Sequence, residues 1–447
     1  MEEKANQIYA DMPPVRLFFH AAIPGIISMF AMSVYSIIEG IFVGQCIGGD
    51  AFAAMNLAMP LVMINFALAD MMGVGSSVPI SIALGRKDEE LAGNYFSCSV
   101  LLIVSASILT GSLMFAFAPQ IIRAMGAEEQ VVALAVTYLR ICAALGPLAN
   151  LVFAMDNFLR ISGFVRGSML LNLFMSCLQI TLVILLVAML RLGLVGSALA
   201  INAGFCVCAV IALIPFLRGK SVLKFRRPKL TVQMLKRIVA CGSPTFLNNI
   251  AGRLFSLVMN VLLLRMGGTA AVSTFAVLMY CSDLVQPMLY GLCDSMQPAI
   301  GYNWGAENYA RVKSLAKCVF TSTAVVSVFA IVLMFSFPRQ IVSIFVERSD
   351  TGLLELASHA LRLFSIGFLF WWFGFATQSF YNAIQNPKNA AILTLSTAIV
   401  FPLLMVALLW PLGLDGLWLN QAATYIPVGI MAFFMLRKTQ KTLAPYL

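Results

Sequence analysis

Residues 194–217 read LVGSALAINAGFCVCAVIALIPFL, 24 positions without a charged side chain. Residues 218–237, which follow, read RGKSVLKFRRPKLTVQMLKR and carry eight Lys or Arg and no acid. A bilayer-spanning helix needs about 20 mostly apolar residues, so the first stretch is a span and the second a water-facing segment beside it. The same alternation extends in both directions. Further apolar segments fall at 17–43, 53–82, 95–118, 131–157 and 168–190 before it, and at 243–264, 271–300, 315–337, 356–381, 390–410 and 416–436 after it. With 61% hydrophobic and only 11% charged residues, against about 25% charged in soluble domains, the chain has no room for a sizeable soluble domain. The expected fold is an all-α polytopic membrane protein with twelve transmembrane helices. A cytosolic enzyme, a nucleic-acid-binding module and a single-span receptor are excluded.

The net charge of +10 would suggest an anionic partner in a soluble protein, but the positions of the charges say otherwise. With both termini in the cytoplasm, 21 of the 29 Lys and Arg fall in inside segments and five, Arg123, Arg191, Arg265, Arg339 and Arg348, in outside loops. That asymmetry is the positive-inside pattern. It predicts a multi-pass protein of the cytoplasmic (inner) membrane and no nucleic-acid partner. The opening Met1-Glu2-Glu3-Lys4 lacks the basic start and cleavage site of a signal peptide, so the first span is expected to remain. The ten cysteines are scattered without disulfide or zinc spacing and read as small packing residues.

Sliding the two halves of the chain past each other exposes a repeat. Gly48-Gly49 falls on Gly267-Gly268 and Pro79 on Pro298 at an offset of 219, while Arg140 falls on Arg362 and Phe158 on Phe380 at 222. Leu192-Gly193-Leu194 with Gly196 falls on Leu412-Gly413-Leu414 with Gly416 at 220. Six spans per unit give both units the same polarity, hence a pseudo-two-fold axis along the membrane normal. The expected organisation is an N-terminal six-helix bundle over 1–217, a basic cytoplasmic linker over 218–242 and a C-terminal six-helix bundle over 243–447. Two such bundles around a central cavity, rocking in alternation, make a transporter.

Four segments resemble the motifs of the multidrug and toxic compound extrusion (MATE) family. Glu39-Gly40-Ile41-Phe42-Val43-Gly44 is similar to its acid-x-x-Phe-Val-Gly signature, and Gly73-Val74-Gly75-Ser76-Ser77-Val78-Pro79-Ile80-Ser81-Ile82-Ala83-Leu84-Gly85 to its Gly-x-Gly-x-x-Val-x-Ile-x-x-x-Leu-Gly segment. Leu159-Arg160-Ile161-Ser162-Gly163-Phe164-Val165-Arg166 resembles its Leu-Arg-x-x-Gly-x-x-Arg segment, echoed weakly at 381–388. The resemblance covers essentially the whole chain. It implies export of amphipathic, often cationic, small organic compounds, driven by inward movement of protons or sodium ions, with no cofactor beyond the coupling ion and no metal site. A monomer is expected.

Ionisable groups inside a span are costly and functional by default. Glu39 matches the acid at which the family couples transport to a cation; desolvation would favour its protonated form and make it a proton switch. Asp70, one turn before Gly73 and Gly75, is expected to face the bundle interior. Asp283 and Asp294 stand eleven positions apart, three turns of helix to within about 20°. They therefore share one face, which is expected to meet the cavity, with Arg253 near enough to neutralise one of them. Asp156 has Arg160 four residues on, a helix-end ion pair. Pro24 removes a backbone donor and invites a bend in the first span. Of Trp371 and Trp372, one must point away from any ligand.

Where many family members carry an Asn, an Asp and a Thr that complete a cation site, the aligned positions here are Gln179, Val183 and Ile201. Few oxygen ligands remain for a dehydrated sodium ion, and hard cations want several; proton coupling is therefore expected. Gln179 and Asn202, with Asp70, could instead build a different ion site. The competing expectation is a flippase for a lipid or lipid-linked substrate, which would need several cations in the cavity; only Arg140, Arg253 and Arg362 lie within spans. Two histidines, His20 and His359, and no nucleophile motif argue against an enzyme.

Overall fold

The computed structural model describes residues 7–47, 49–125, 128–346 and 351–443, without the side chains of 7, 36–37, 39–46, 49–50, 52–53 and 440–443. Glu39 is therefore on the path of a described helix while its carboxyl group lies outside the described residues. Hydrocarbon offers no hydrogen bonds, so each apolar stretch must satisfy its own backbone, and the helix does this locally. Among the described residues there is accordingly no strand.

The main helices are α1 (Pro14–Cys46), α2 (Gly49–Gly85), α3 (Glu89–Ala124), α4 (Glu129–Ala149), α5 (Leu151–Ile161), α6 (Val165–Val183) and α7 (Gly193–Leu217), then α8 (Val232–Gly305), α9 (Tyr309–Ser336), α10 (Thr351–Ser365), α11 (Phe368–Ala383), α12 (Pro387–Leu395), α13 (Phe401–Leu408) and α14 (Leu414–Leu443). Among the described residues ten elements are long and apolar enough to cross a bilayer. One of them, the 74-residue α8, breaks at Gly268, whose φ of 64° only glycine adopts freely, and so holds two spans. Helices α10 and α11 together are also apolar enough to cross, with a bend of 46° between them. With that pair counted as one span, the described residues hold the twelve expected from the sequence.

The repeat is visible in the backbone itself. Lys87 and Glu307, which match at the repeat offset, both take the left-handed conformation, which is uncommon for residues with a Cβ. Each precedes a capping side chain: Asp88 accepts from the Leu91 amide at 2.9 Å and Asn308 from the Arg311 amide at 3.2 Å. Gly163 and Gln385, matched in the same register as Phe158 and Phe380, are both left-handed. Each is followed by the same 2.9 Å closure, Phe164 N–H to the Leu159 carbonyl and Asn386 N–H to that of Tyr381.

Two compact units result, and their boundaries exchange the leading segments of the repeats. The N-terminal unit takes the described residues through Met12 and Ile27–Phe246; the C-terminal unit takes Pro13–Ile26 and Leu247–Leu447. Within the N-terminal unit, the start of α8 lies against α2 so closely that a Cβ on Gly242 would stand 1.9 Å from the Met71 carbonyl oxygen. Within the C-terminal unit, the start of α1 does the same against the later part of α8, a Cβ on Gly25 standing 2.6 Å from the Gly291 oxygen. Both exchanges end just beyond a proline, Pro24 and Pro244, which are themselves equivalent in the repeat. Pro24 sits inside the unbroken α1.

Each unit has its own apolar core. In the N-terminal unit Met114, Ile122, Tyr138, Leu139 and Leu194 cluster; in the C-terminal unit Leu278, Leu289, Phe364, Phe368 and Trp418 do so.

Candidate transport site

In the N-terminal unit the positions aligned with the family's cation site are closed by packing. Gln179, 1% exposed, donates from Nε2 to the Ile201 carbonyl at 3.1 Å. Its stem fills the space over Gly204, where a Cβ would come within 2.4 Å of Gln179 Cγ. Val183 is fully buried in a cluster with Tyr35, Val187 and Ala200, against which Ile201 packs. Tyr35 stands one turn before Glu39 on α1. Asn202 is buried and donates to the Ala198 carbonyl at 2.8 Å and towards Cys142 Sγ at 3.4 Å. Asp70 is half-buried on α2, one residue before the Met71 carbonyl that Gly242 meets. The amide nitrogen of Gln179 thus ties α6 to α7, while that of Asn202 bonds its own helix and reaches Cys142 on α4, so the two amides are engaged with different partners.

Asp156 and Arg160 form a buried network at the other end of that unit. Arg160 Nη2 reaches Asp156 Oδ2 at 2.5 Å and Arg160 Nε donates to Ser168 Oγ at 3.0 Å. Asp156 Oδ1 accepts from Ser168 Oγ and, at 2.9 Å, from Asn172 Nδ2. The Tyr9 hydroxyl donates to the Arg160 carbonyl. With every partner supplied by α5, α6 and the Tyr9 turn, this is a structural lock.

The C-terminal unit holds a polar cavity of about 560 Å³ within its own helices. Arg253 and Asp283 both line it. Among the described residues neither has a hydrogen-bond or ion-pair partner. Both side chains are exposed, so their charges stay accessible to a polar ligand that enters the cavity and carry little desolvation cost. One wall is aromatic: Trp371 packs 6.0 Å from Tyr425 and 6.1 Å from Phe375, which meets Tyr290 edge-on at 4.6 Å. Asn248 donates to the Tyr290 hydroxyl at 3.3 Å. The indole N–H of Trp418, also in the lining, is buried without a hydrogen-bond partner among the described residues.

Asp294, expected on the same cavity-facing side as Asp283, has other surroundings. It does not line this cavity; its Oδ1 accepts from Gln297 Nε2 at 2.7 Å, and the same nitrogen reaches Ser379 Oγ at 3.1 Å. Eleven residues advance a helix by about 16 Å, so a shared face puts the two acids at different depths. Trp372 turns away, its Nε1 bonded to the Leu369 carbonyl at 2.9 Å. Sequence reading did not single out Trp418, Asn248 or Tyr290; only an aromatic-rich composition hinted at them.

The MatE family model matches residues 24–185 and, a second time, 244–408, so its two starts fall on the equivalent prolines Pro24 and on Pro244. "Multidrug export protein MepA" of Staphylococcus aureus (strain N315) is 26% identical over 409 residues, 91% of this chain and 90% of the relative. The protein of the same name from Staphylococcus saprophyticus is 26% identical over 395 residues, 87% and 86% of the two chains. A solved structure described as the outward-facing conformation of a multidrug resistance MATE family transporter of the MOP superfamily superposes with a TM-score of 0.93 at 22% identity, covering 99% of each chain.

Proposed function

Because the chain belongs to the MatE family, we propose that it is a secondary active multidrug exporter of amphipathic, cationic organic compounds, working by antiport against protons with alternating access. The multidrug export proteins aligned over nine-tenths of the chain support that reading. The observation that carries the substrate side is the C-terminal cavity. Asp283, which among the described residues has no ion-pair partner, lines it together with aromatic faces, which attract organic cations through their quadrupole. Arg253 lines the same cavity and competes with the cargo for that carboxylate.

For the coupling ion, protons are favoured over sodium. Sodium needs several oxygen ligands, and the aligned site is occupied by the Gln179–Ile201 bond and the apolar Tyr35–Val183 cluster. Glu39 remains as the single acid of the motif, and one carboxyl suffices to carry one proton. Pro24, and with it Pro244, would serve as bending points, since each lies just before the place where its helix passes from one compact unit to the other.

The test is efflux from proteoliposomes under an imposed pH gradient or an imposed sodium gradient, with wild type, Glu39→Gln and Asp283→Asn. Expected are uptake of a fluorescent organic cation driven by the pH gradient alone, abolition by Glu39→Gln, and weaker apparent affinity with retained coupling in Asp283→Asn. Wild-type rate and pH profile in Glu39→Gln would remove Glu39 from the mechanism. Lipid scrambling without cation transport would select the flippase.

A further inference from the structure

The two repeats treat one groove in opposite ways. In the N-terminal unit, Phe96 at the start of α3 is covered on all sides, with Phe158, Phe216 and Phe225 at ring distances of 5.2, 5.0 and 4.7 Å. Phe225 belongs to the basic linker, which is strapped across the helix. Lys229 N–H donates to Asn94 Oδ1 at 2.8 Å, Asn94 Nδ2 returns a bond to the Lys229 carbonyl at 3.2 Å, and Arg226 N–H donates to Ser97 Oγ at 2.8 Å. Gly93 lets the strap approach, a Cβ there standing 3.0 Å from the Lys224 carbonyl oxygen.

At the equivalent positions of the second repeat, Phe96 is replaced by Ala316 and Phe216 by Leu436, while Phe158 is matched by Phe380. These three residues line a cavity of about 780 Å³ instead of a closed cluster. Gly93 and Ser97, which receive the strap, become Lys313 and Lys317. Both line the cavity, Arg437 joins them, and among the described residues of the lining there is no acid. Below the cations the walls continue as Phe320, Phe373 and Phe433. The groove runs between α9, α11 and α14, all within the C-terminal unit, at the end that the charge asymmetry assigns to the cytoplasm.

We infer that this groove is a binding site for an anionic phospholipid of the inner leaflet, its phosphate held by Lys313, Lys317 and Arg437 and an acyl chain laid along Phe320, Phe373 and Phe380. Three convergent cations over an apolar channel match an amphiphile with one charged end, and basic pockets between helices on the cytoplasmic side bind such headgroups. The chain's own closing segment fits less well, because Lys438 and Lys441 share the sign of the groove.

Purified full-length transporter is examined by native mass spectrometry after exchange with phosphatidylglycerol, phosphatidylcholine or inorganic phosphate. Each basic residue near an anionic headgroup contributes about fivefold, so phosphatidylglycerol is expected to be retained roughly 100-fold over phosphatidylcholine. The Lys313→Gln/Lys317→Gln/Arg437→Gln protein should lose that preference, and Lys220→Gln, in the linker, should keep it. Ala316→Phe, which fills the channel as Phe96 does in the other unit, should expel the lipid with the cations intact. Equal retention of the two lipids would overturn the proposal, as would an undiminished preference in both the triple variant and Ala316→Phe. Full competition by inorganic phosphate would reduce the site to an anion site. Lipid binding that appears only after removal of residues 440–447 would assign the groove to the chain's own tail.

Discussion

Removing the carboxyl of Asp156 strands a buried guanidinium. Arg160 is 4% exposed and Asp156 9%, and the pair is closed at 2.5 Å with further bonds from Ser168 and Asn172. Taking one partner from such a pair costs about 3–5 kcal/mol, since the survivor keeps its desolvation penalty and loses its compensation. For a cooperative unit of this size, about 2–4 °C of melting temperature go with each kcal/mol, giving a fall of about 6–20 °C for Asp156→Ala. Arg160→Met should cost a similar amount. The double variant Asp156→Ala/Arg160→Met leaves no unpaired charge, so its loss should not exceed that of either single change, a coupling of at least about 3 kcal/mol. The assay is thermal unfolding in one detergent at fixed protein concentration, followed by a double-mutant cycle. Singles that each cost under about 1 kcal/mol, or costs that simply add, would refute the reading of this network as a closed lock.

Gly242→Ala should destabilise the N-terminal unit by about 1–3 kcal/mol and lower efflux, because its methyl collides with the Met71 backbone; Gly429→Ala, with open space around it, should be neutral or stabilising by up to about 1 kcal/mol. Parallel melting curves distinguish the two. Trp371→Ala should weaken binding of an aromatic cation, read by fluorescence titration, whereas Trp372→Ala, which bonds its own helix, should leave it within about twofold. Burial of Tyr9 pushes its hydroxyl above the ordinary phenol value near 10. Its contribution is therefore complete below about pH 10 and lost as pH rises further, and Tyr9→Phe should remove that alkaline increment while costing about 1 kcal/mol at neutral pH through the lost bond to Arg160. Alkaline melting curves of the two proteins should converge.

The sequence by itself determined the twelve spans and the two repeats, for a local reason: in hydrocarbon each apolar segment must close its own backbone bonds, so length and hydropathy suffice to draw helices. Even the caps at Asp88 and Asn308 were written three residues ahead of the amides they hold. The eleven-residue spacing of Asp283 and Asp294 gave their shared face but not their partners, because a face fixes an angle while depth along the axis decides which cavity a side chain meets. The bond from Gln179 to the Ile201 carbonyl, with its stem over Gly204, was not legible either, since nothing near it in the chain announces that carbonyl or that hollow. Only the tertiary structure decided which unit takes the leading segment of each repeat, and why the groove strapped shut over Phe96 lies open over Ala316. Those outcomes depend on contacts between residues more than a hundred positions apart, such as Asn94 with Lys229 and Gly242 with Met71, where the fit of one surface against another sets the result and no local pattern records it.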